Sequence, residues 1–335
     1  MTTVHERARP AAEVLEWGRA TVDPAMREAV GALPDPVRHI AGYHFGWWDA
    51  TGQPSEPTGK ALRPTLTLLA CQAVGGDVEA AVPAAVAVEL VHDFSLLHDD
   101  VMDGDRTRRH RPTAWTVFGT GPAILTGDVL LTLAVELVAA AGPHARILTS
   151  AVLDLLGGQN ADTSFEQRDD VTLSECVAMA VGKTGALLRV SCTLGALAGG
   201  ATPDQVARLG LFGEHLGLAF QHVDDLLGIW GDPAATGKPV HSDLLNRKKS
   251  LPVVAALTSG TPAGDELASF YFAQPEFDPA RAAALVEQAG GRDWSRERAA
   301  QLLRQALDTL NVAAPDTTAT GELTALARMA VDRTH

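Results

Sequence analysis

The chain has 335 residues, 46 % of them hydrophobic, and a net charge of −14. That length and apolar content allow one large domain with a sizeable core, while the negative balance argues against nucleic acid and anionic membrane surfaces as partners. Cys71, Cys176 and Cys192 stand far apart with no CxxC spacing, so neither a zinc site nor a disulfide framework is expected, and a reduced cytoplasmic setting fits best.

The N-terminal stretch MTTVHERARPAAEV has no apolar signal core, and residues 1–12 read as a loose tail. No apolar run is read as reaching the ~18 residues of a membrane helix, so no stable membrane insertion is expected. Apolar residues at three- and four-residue spacing predict helices over 61–75, 80–103, 120–142, 145–168, 172–199 and 203–231. Alternating β-branched runs bounded by turns are scarce. The helices are punctuated by DATGQPSEPTG (49–59), GDRTRRHRP (104–112) and GDPAATGKPV (231–240), and shorter helical pieces follow residue 260. No solenoid repeat is present. The expectation is an all-α fold, one domain over 1–335, built as a bundle of long helices around a central cavity.

Two stretches carry the chemistry. In FSLLHDDVMDGDRTRRHRPT (94–113), Asp99 and Asp103 are one helical turn apart and share a face, while Asp100 projects to one side, where it can bind a metal-bound water or orient a ligand. Acids at the end of a helix oppose its macrodipole, so an ordinary helix terminus does not explain them. Oxygen-only ligands with open positions suit magnesium, which takes one or two carboxylates together with phosphate oxygens. A second pair, Asp224 and Asp225, ends the apolar run LFGEHLGLAFQHVDDLLG. Two such motifs facing one another would clamp a diphosphate through several metal ions. Basic residues accompany both: Lys60 and Arg63; Arg108 and Arg109; Lys183 beside Thr184; and Lys238, Arg247, Lys248 and Lys249. Arg108 and Arg109 are neighbours and therefore point differently, which lets them serve two phosphate groups. Arginine offers a planar fork of donors, lysine a compact charge. His92 alone would read as an interior histidine; its position seven residues before Asp99 makes it a ligand candidate.

In this order the motifs resemble those of trans-type isoprenyl diphosphate synthases of the polyprenyl synthetase family, nearest in pattern to short-chain bacterial geranylgeranyl diphosphate synthases. The resemblance runs from about residue 55 to 255: GKxLRP at 59–64, DDxxD at 99–103 with RR five residues beyond, GQ at 158–159, KTG at 183–185, FQxxDD at 220–225, and GKPxxSDLxxxKKSLP. It implies a magnesium-dependent, head-to-tail condensation of isopentenyl diphosphate with an allylic diphosphate, in an enzyme that is usually a homodimer. Carried over residue by residue, Asp99 and Asp103 would bind two magnesium ions and Asp224 a third. Lys183, Lys238 and Arg108 would hold the allylic diphosphate. Lys60, Arg63, His92 and Arg109 would hold isopentenyl diphosphate. Thr184 and Gln221 would line the reaction centre, with Lys248 nearby and Asp100 and Asp225 behind the metal ligands.

One position departs from the family pattern. The second motif reads DDLLG, with Gly228 in place of a third acid, which removes an acceptor behind the metal. Restoring it by Gly228→Asp is expected to raise magnesium affinity modestly. Product length is read from Phe94 and Ser95. Phe94 lies five residues before Asp99, roughly 7.5 Å along the axis, as a floor for the growing chain, and Ser95 leaves room above it. An aromatic there, with no insertion in the first acidic motif, resembles the geranylgeranyl synthases and implies a twenty-carbon product. The alternatives are a class I terpene cyclase and a non-catalytic subunit of a heteromeric synthase. The first lacks its NDxxSxxxE triad, since NADTSFEQ (160–167) has the wrong spacing; the second predicts a damaged first motif, and this one is intact.

Overall fold

The structure, a computed structural model, describes residues 8–55, 59–233, 239–273, 277–315 and 317–332. Lys238 lies outside the described residues. In chain order the elements are α1 (Ala11–Gly31), α2 (Val37–Phe45), α3 (Leu62–Ala73), α4 (Val78–Met102), strands β1 (Thr107–Arg108) and β2 (Arg111–Pro112), α5 (Ala114–Phe118), α6 (Thr120–Ala139), α7 (His144–Phe165), α8 (Leu173–Ala180), α9 (Ala186–Ala198) and α10 (Pro203–Trp230). A π-helical turn, Val181–Gly185, joins α8 to α9, and helices Ser242–Leu245, Leu251–Leu257, Pro262–Ala273, Pro279–Gln288, Gly291–Ala313 and Thr318–Val331 follow. Among the described residues the antiparallel β1–β2 ribbon and one bridge, Trp48 to Pro54, are all the sheet there is. The fold is all-α, as the apolar spacing predicts. α1 reaches back to Ala11, inside the segment read as a loose tail, and Arg9 is tied down by Glu322 through Nε at 2.7 Å and Nη2 at 2.8 Å.

Proximity divides the chain into two compact units. Unit 1 comprises Met1–Ser150, Val190–Gly210 and Ala313–Leu323; unit 2 comprises Ala151–Arg189, Leu211–Val312 and Thr324–His335. In unit 1, α4 packs against α1, α3 and α6. It is apolar almost all round, and Val82, Val86, Leu90, Val91, Phe94 and Leu97 are buried. Each such side chain contributes about 1.5–3 kcal/mol on leaving water, so packing rather than propensity holds the helix. Asp77 caps its start, accepting from Glu79 N at 3.2 Å. Its end is closed by Asp103 N donating to Asp99 O at 2.8 Å.

The expectation that no apolar run reaches membrane-spanning length is corrected here. α4, α6 and the stretch Leu173–Ala198 are long and apolar enough, by length and composition, to cross a membrane. For α4 the apolar residues serve the protein core, and 61 % of its apolar window is buried; for α6 the buried share is 33 %.

In unit 2, Ile229 at the end of α10 joins Leu244, Val253, Leu267, Tyr271, Leu285 and Val286 in one core cluster. Tyr271 OH donates to Lys248 O at 2.8 Å, fixing the backbone of the RKKSLP stretch. α8 begins with a capping box between Thr172 and Glu175, which satisfies two helix-end donors.

Candidate active site

Unit 1 gathers its charged residues at the far end of α4. Asp99 is half-buried and Asp103 exposed, one turn apart. Asp100 faces the interior instead, with 2 % of its surface exposed. Its Oδ1 accepts from Arg108 Nε at 2.7 Å, and its Oδ2 is buried with no hydrogen-bond partner. Burial raises the Asp100 carboxyl above its ordinary range, and Arg108 pulls it back. Asp100 thus acts on Arg108 rather than beside Asp99 and Asp103.

The next residue points elsewhere. Arg109 has φ +51° and lays its guanidinium against Gly59, lining a small cavity with Arg19, Glu89 and Asp93. Arg63 belongs to the same group: burial depresses its pKa, while the Glu89 and Asp93 carboxylates raise it. Glu89 is pushed up, first by burial and then by Asp93, with Arg63 and Arg109 opposing. His44 Nε2 lies 3.2 Å from Asp93 Oδ1. Burial, assisted by Arg63, Arg109, Arg108 and His44, holds His92 well below its usual pKa, so its imidazole stays neutral. Lys60 is exposed. This is a positively charged site braced from within by two acids.

Phe94 is 3 % exposed, and its ring meets His98 edge-on at 4.8 Å between centroids. His98 Nε2 donates to Ile124 O of α6 at 2.9 Å. Ser95 Oγ donates back to His92 O at 2.7 Å. The floor position on α4 is therefore braced by an imidazole wedged onto α6.

Unit 2 holds the second motif. Thr184 Oγ1 donates to Gln221 Oε1. Gln221 Nε2 donates to Asp225 Oδ1 at 2.7 Å, and Leu251 N donates to Asp225 Oδ2 at 2.8 Å. Leu251 N–H heads the helix Leu251–Leu257, where helix-end donors need acceptors and a carboxylate is favoured. One chain of bonds thus joins KTG, FQxxDD and KKSLP. Asp225 is pushed up to about 8 by burial first, then by the Asp243 charge, with the Leu251 and Gln221 hydrogen bonds opposing. Asp224, its neighbour, is exposed. Lys183 Nζ meets Asp162 Oδ2 at 2.6 Å. It sits in the π-helical turn, a wider helical form frequent at functional sites that apolar spacing does not reveal. Gly158 lets α7 approach this turn, for a Cβ there would fall 2.3 Å from Lys183 N. Lys248 is half-buried, and Lys249 Nζ donates to Glu166 O at 3.1 Å.

Backbone strain collects in the basic motifs. Among the described residues, left-handed φ at non-glycine positions occurs at Ala61 beside Lys60, at Arg109 and His110, and at His241 and Arg247. Each costs of order 1–3 kcal/mol, which the surrounding contacts must offset.

Sequence reading missed five residues here: His44, Glu89, Asp93, Gln159 and Asp162. A signal was present for Glu89 and Asp93, because acids inside an apolar helix demand a cation. Gln159 is 6 % exposed with both amide atoms unpartnered, and nothing in GQNAD announces that. The expected gain from Gly228→Asp is also overturned: a Cβ at 228 would lie 2.2 Å from Asp243 Oδ2, so the added side chain has no room.

Among the described residues no three His, Cys, Asp or Glu side chains converge as a metal cage. Magnesium does not ask for one, since it keeps waters and phosphate oxygens beside one or two carboxylates. The accessible, oxygen-only donors Asp99, Asp103 and Asp224 fit that ion.

The polyprenyl synthetase family model matches residues 49–289. A (2E,6E)-farnesyl diphosphate synthase of Mycobacterium tuberculosis is 44 % identical over 333 residues, covering 96 % of this chain and 92 % of that protein. A geranylgeranyl diphosphate synthase of the same organism is 45 % identical over 326 residues, covering 94 % and 92 %. The crystal structure of a polyprenyl synthetase from Streptomyces coelicolor superposes with a TM-score of 0.89 at 47 % identity, covering 95 % of this chain and 99 % of that one.

Proposed function

The chain belongs to the polyprenyl synthetase family and is a prenyltransferase, and from that premise we propose that it is a geranylgeranyl diphosphate synthase. It condenses isopentenyl diphosphate head-to-tail with an allylic diphosphate, working with three magnesium ions held by Asp99, Asp103 and Asp224. The observation that carries this reading is that each acidic helix end comes with its own cations: Arg108 on Asp100 at the end of α4, and Lys183 and Thr184 beside the Gln221–Asp225 chain. Gly228, the departure that favoured a cyclase or a non-catalytic subunit, is accounted for by the Asp243 carboxylate lying over it. The family model runs unbroken across segments of both units, which supports one catalytic domain. Three buried, unpaired cysteines support a reducing, cytoplasmic setting.

Magnesium, when bound, neutralises charge developing on the departing diphosphate. Lys183, Lys238 and Arg108 hold that diphosphate while the allylic carbon–oxygen bond breaks, an electrostatic role of the kind that dominates charge-developing reactions. Lys60, Arg63, His92 and Arg109 hold the isopentenyl diphosphate so that its double bond meets the allylic cation. A neutral His92 donates a hydrogen bond without adding to the crowd of cations around it. The new carbon–carbon bond forms, and the proton lost from the condensed chain passes to the released diphosphate. Asp100, Glu89 and Asp93 touch neither substrate; they position Arg108, Arg63 and Arg109. Incubation with magnesium, isopentenyl diphosphate and each allylic starter, followed by sizing of the products, tests the reading. A twenty-carbon product supports it, and the absence of chain elongation with every starter overturns it.

Arg108 and Arg109 are expected to separate kinetically. Arg109→Ala raises KM for isopentenyl diphosphate by about tenfold or more, the worth of one charge-assisted hydrogen bond, while Arg108→Ala acts on the allylic substrate. Equal effects of both variants on both substrates would refute the division.

A homodimer through α6 is part of the proposal. Ile124 and Leu125 of that helix are 36 % and 61 % exposed, an apolar pair that a second copy would cover. Leu125→Glu is expected to give a monomer in sedimentation at micromolar concentration; an unchanged dimer would place the interface elsewhere.

A further inference from the structure

Gly228 follows Asp224 by four residues, so it lies one turn along α10 on the same face. A Cβ built there would fall 2.2 Å from Asp243 Oδ2, 2.4 Å from its Cγ and 2.7 Å from its Oδ1. These separations are shorter than two covalent bonds laid end to end. A carboxylate from the following loop therefore already fills the space from which a side chain at 228 would project.

The loop is clamped in that position. The last carbonyls of a helix have no partner within it. At the end of α10, Ser242 Oγ donates to Gly228 O at 3.2 Å, and His241 Nδ1 donates to Ile229 O at 2.6 Å. A carbonyl only accepts, so the His241 proton sits on Nδ1. Lys248 N donates to Asp243 O at 2.9 Å, closing the loop on its other side. His241 takes up a left-handed φ of +62° to make the turn, and the adjoining bonds hold that strained conformation in place. A glycine is what allows a carboxylate to approach the α10 backbone so closely.

We propose that Asp243 supplies the third carboxylate of the second acidic motif, and that Gly228 is the gap in α10 that admits it. The acid expected from the helix thus comes from the loop, held by the Ser242 and His241 clamp. The inference rests on the reading of Asp224 as a magnesium ligand. Asp243 acts as a positioning residue behind that ligand, and the substitution of Gly228 and the placement of Asp243 are one feature.

The test is manganese binding by the full chain in the presence of inorganic diphosphate, measured by isothermal titration calorimetry. The proteins are the natural chain, Asp243→Asn, Gly228→Asp, and Gly228→Asp combined with Asp243→Ala. Melting temperature without metal checks that each variant folds, and Asp243→Asn preserves side-chain shape should the glycine variant not fold. Asp243→Asn is expected to weaken binding by about tenfold or more, the usual cost of losing an outer partner of a metal ligand. Gly228→Asp alone is expected to weaken it as well, and the double variant to regain most of the loss. Binding by Asp243→Asn equal to that of the natural chain overturns the inference, as does tighter binding by Gly228→Asp alone. If the natural chain itself binds no manganese with diphosphate present, the reading of Asp224 fails instead.

Discussion

Replacing Asp99 or Asp103 by alanine is expected to lower turnover by on the order of 10³-fold or more, since removing one preorganised electrostatic partner of the developing charge already costs roughly 10²–10³. The melting temperature is expected to hold. Asp103 is exposed and Asp99 half-buried, and both stand where the α4 dipole disfavours a negative charge, so removing either relieves about 0.3–1 kcal/mol of unfavourable interaction. Asp100→Ala should behave oppositely. Its carboxylate is buried against Arg108, and removing one partner of a buried pair leaves an uncompensated charge, a loss of roughly 3–5 kcal/mol. Turnover by incorporation of labelled isopentenyl diphosphate, with thermal melts beside it, separates the three. Activity that survives a chelator, or that survives in Asp99→Ala, would remove the basis of the metal assignment.

Phe94→Ala is expected to move the product from twenty carbons to twenty-five or more, and Ser95→Phe to shorten it to fifteen or fewer. Phe94 sits five residues before Asp99 on the buried face of α4, with its ring braced by His98, whose own ring is bonded to Ile124 O of α6. Deleting the ring opens space next to that brace at a cost of about 3–5 kcal/mol in stability, so products are to be sized well below the melting temperature. A ring at 95 fills the space one turn before Asp99. The two mycobacterial relatives, one a farnesyl and one a geranylgeranyl synthase at 44 % and 45 % identity, make chain length the property that overall similarity does not decide. Unchanged products in both variants would assign the floor to other helices and end the argument for a twenty-carbon product.

Much of the site was legible because α-helices repeat. Asp99 and Asp103 share a face by spacing alone, and Arg108 and Arg109 diverge because neighbours on a chain do. Apolar spacing located α3, α4, α6, α7 and α10 to within a few residues. It passed over α1 and α2, and it ran straight through the π-helical turn that carries Lys183 and Thr184. A one-residue widening of a helix leaves the apolar pattern on both sides intact, so the sequence shows no break there.

The all-α class, the two acidic helix ends and their attendant basic motifs were determined by the sequence itself, since each rests on residues within one or two turns of each other. Only the tertiary structure decided which side chain meets which across the chain. It turned Asp100 inward to Arg108, paired His44 with Asp93, set Gly158 against Lys183, and laid Asp243 over Gly228. The sequence reading of Gly228 as a simple loss failed for the same reason. Residues 228 and 243 are brought together by the clamp of Ser242 and His241 on the last carbonyls of α10, and whether a missing side chain leaves a hole or makes room depends on what packs against it.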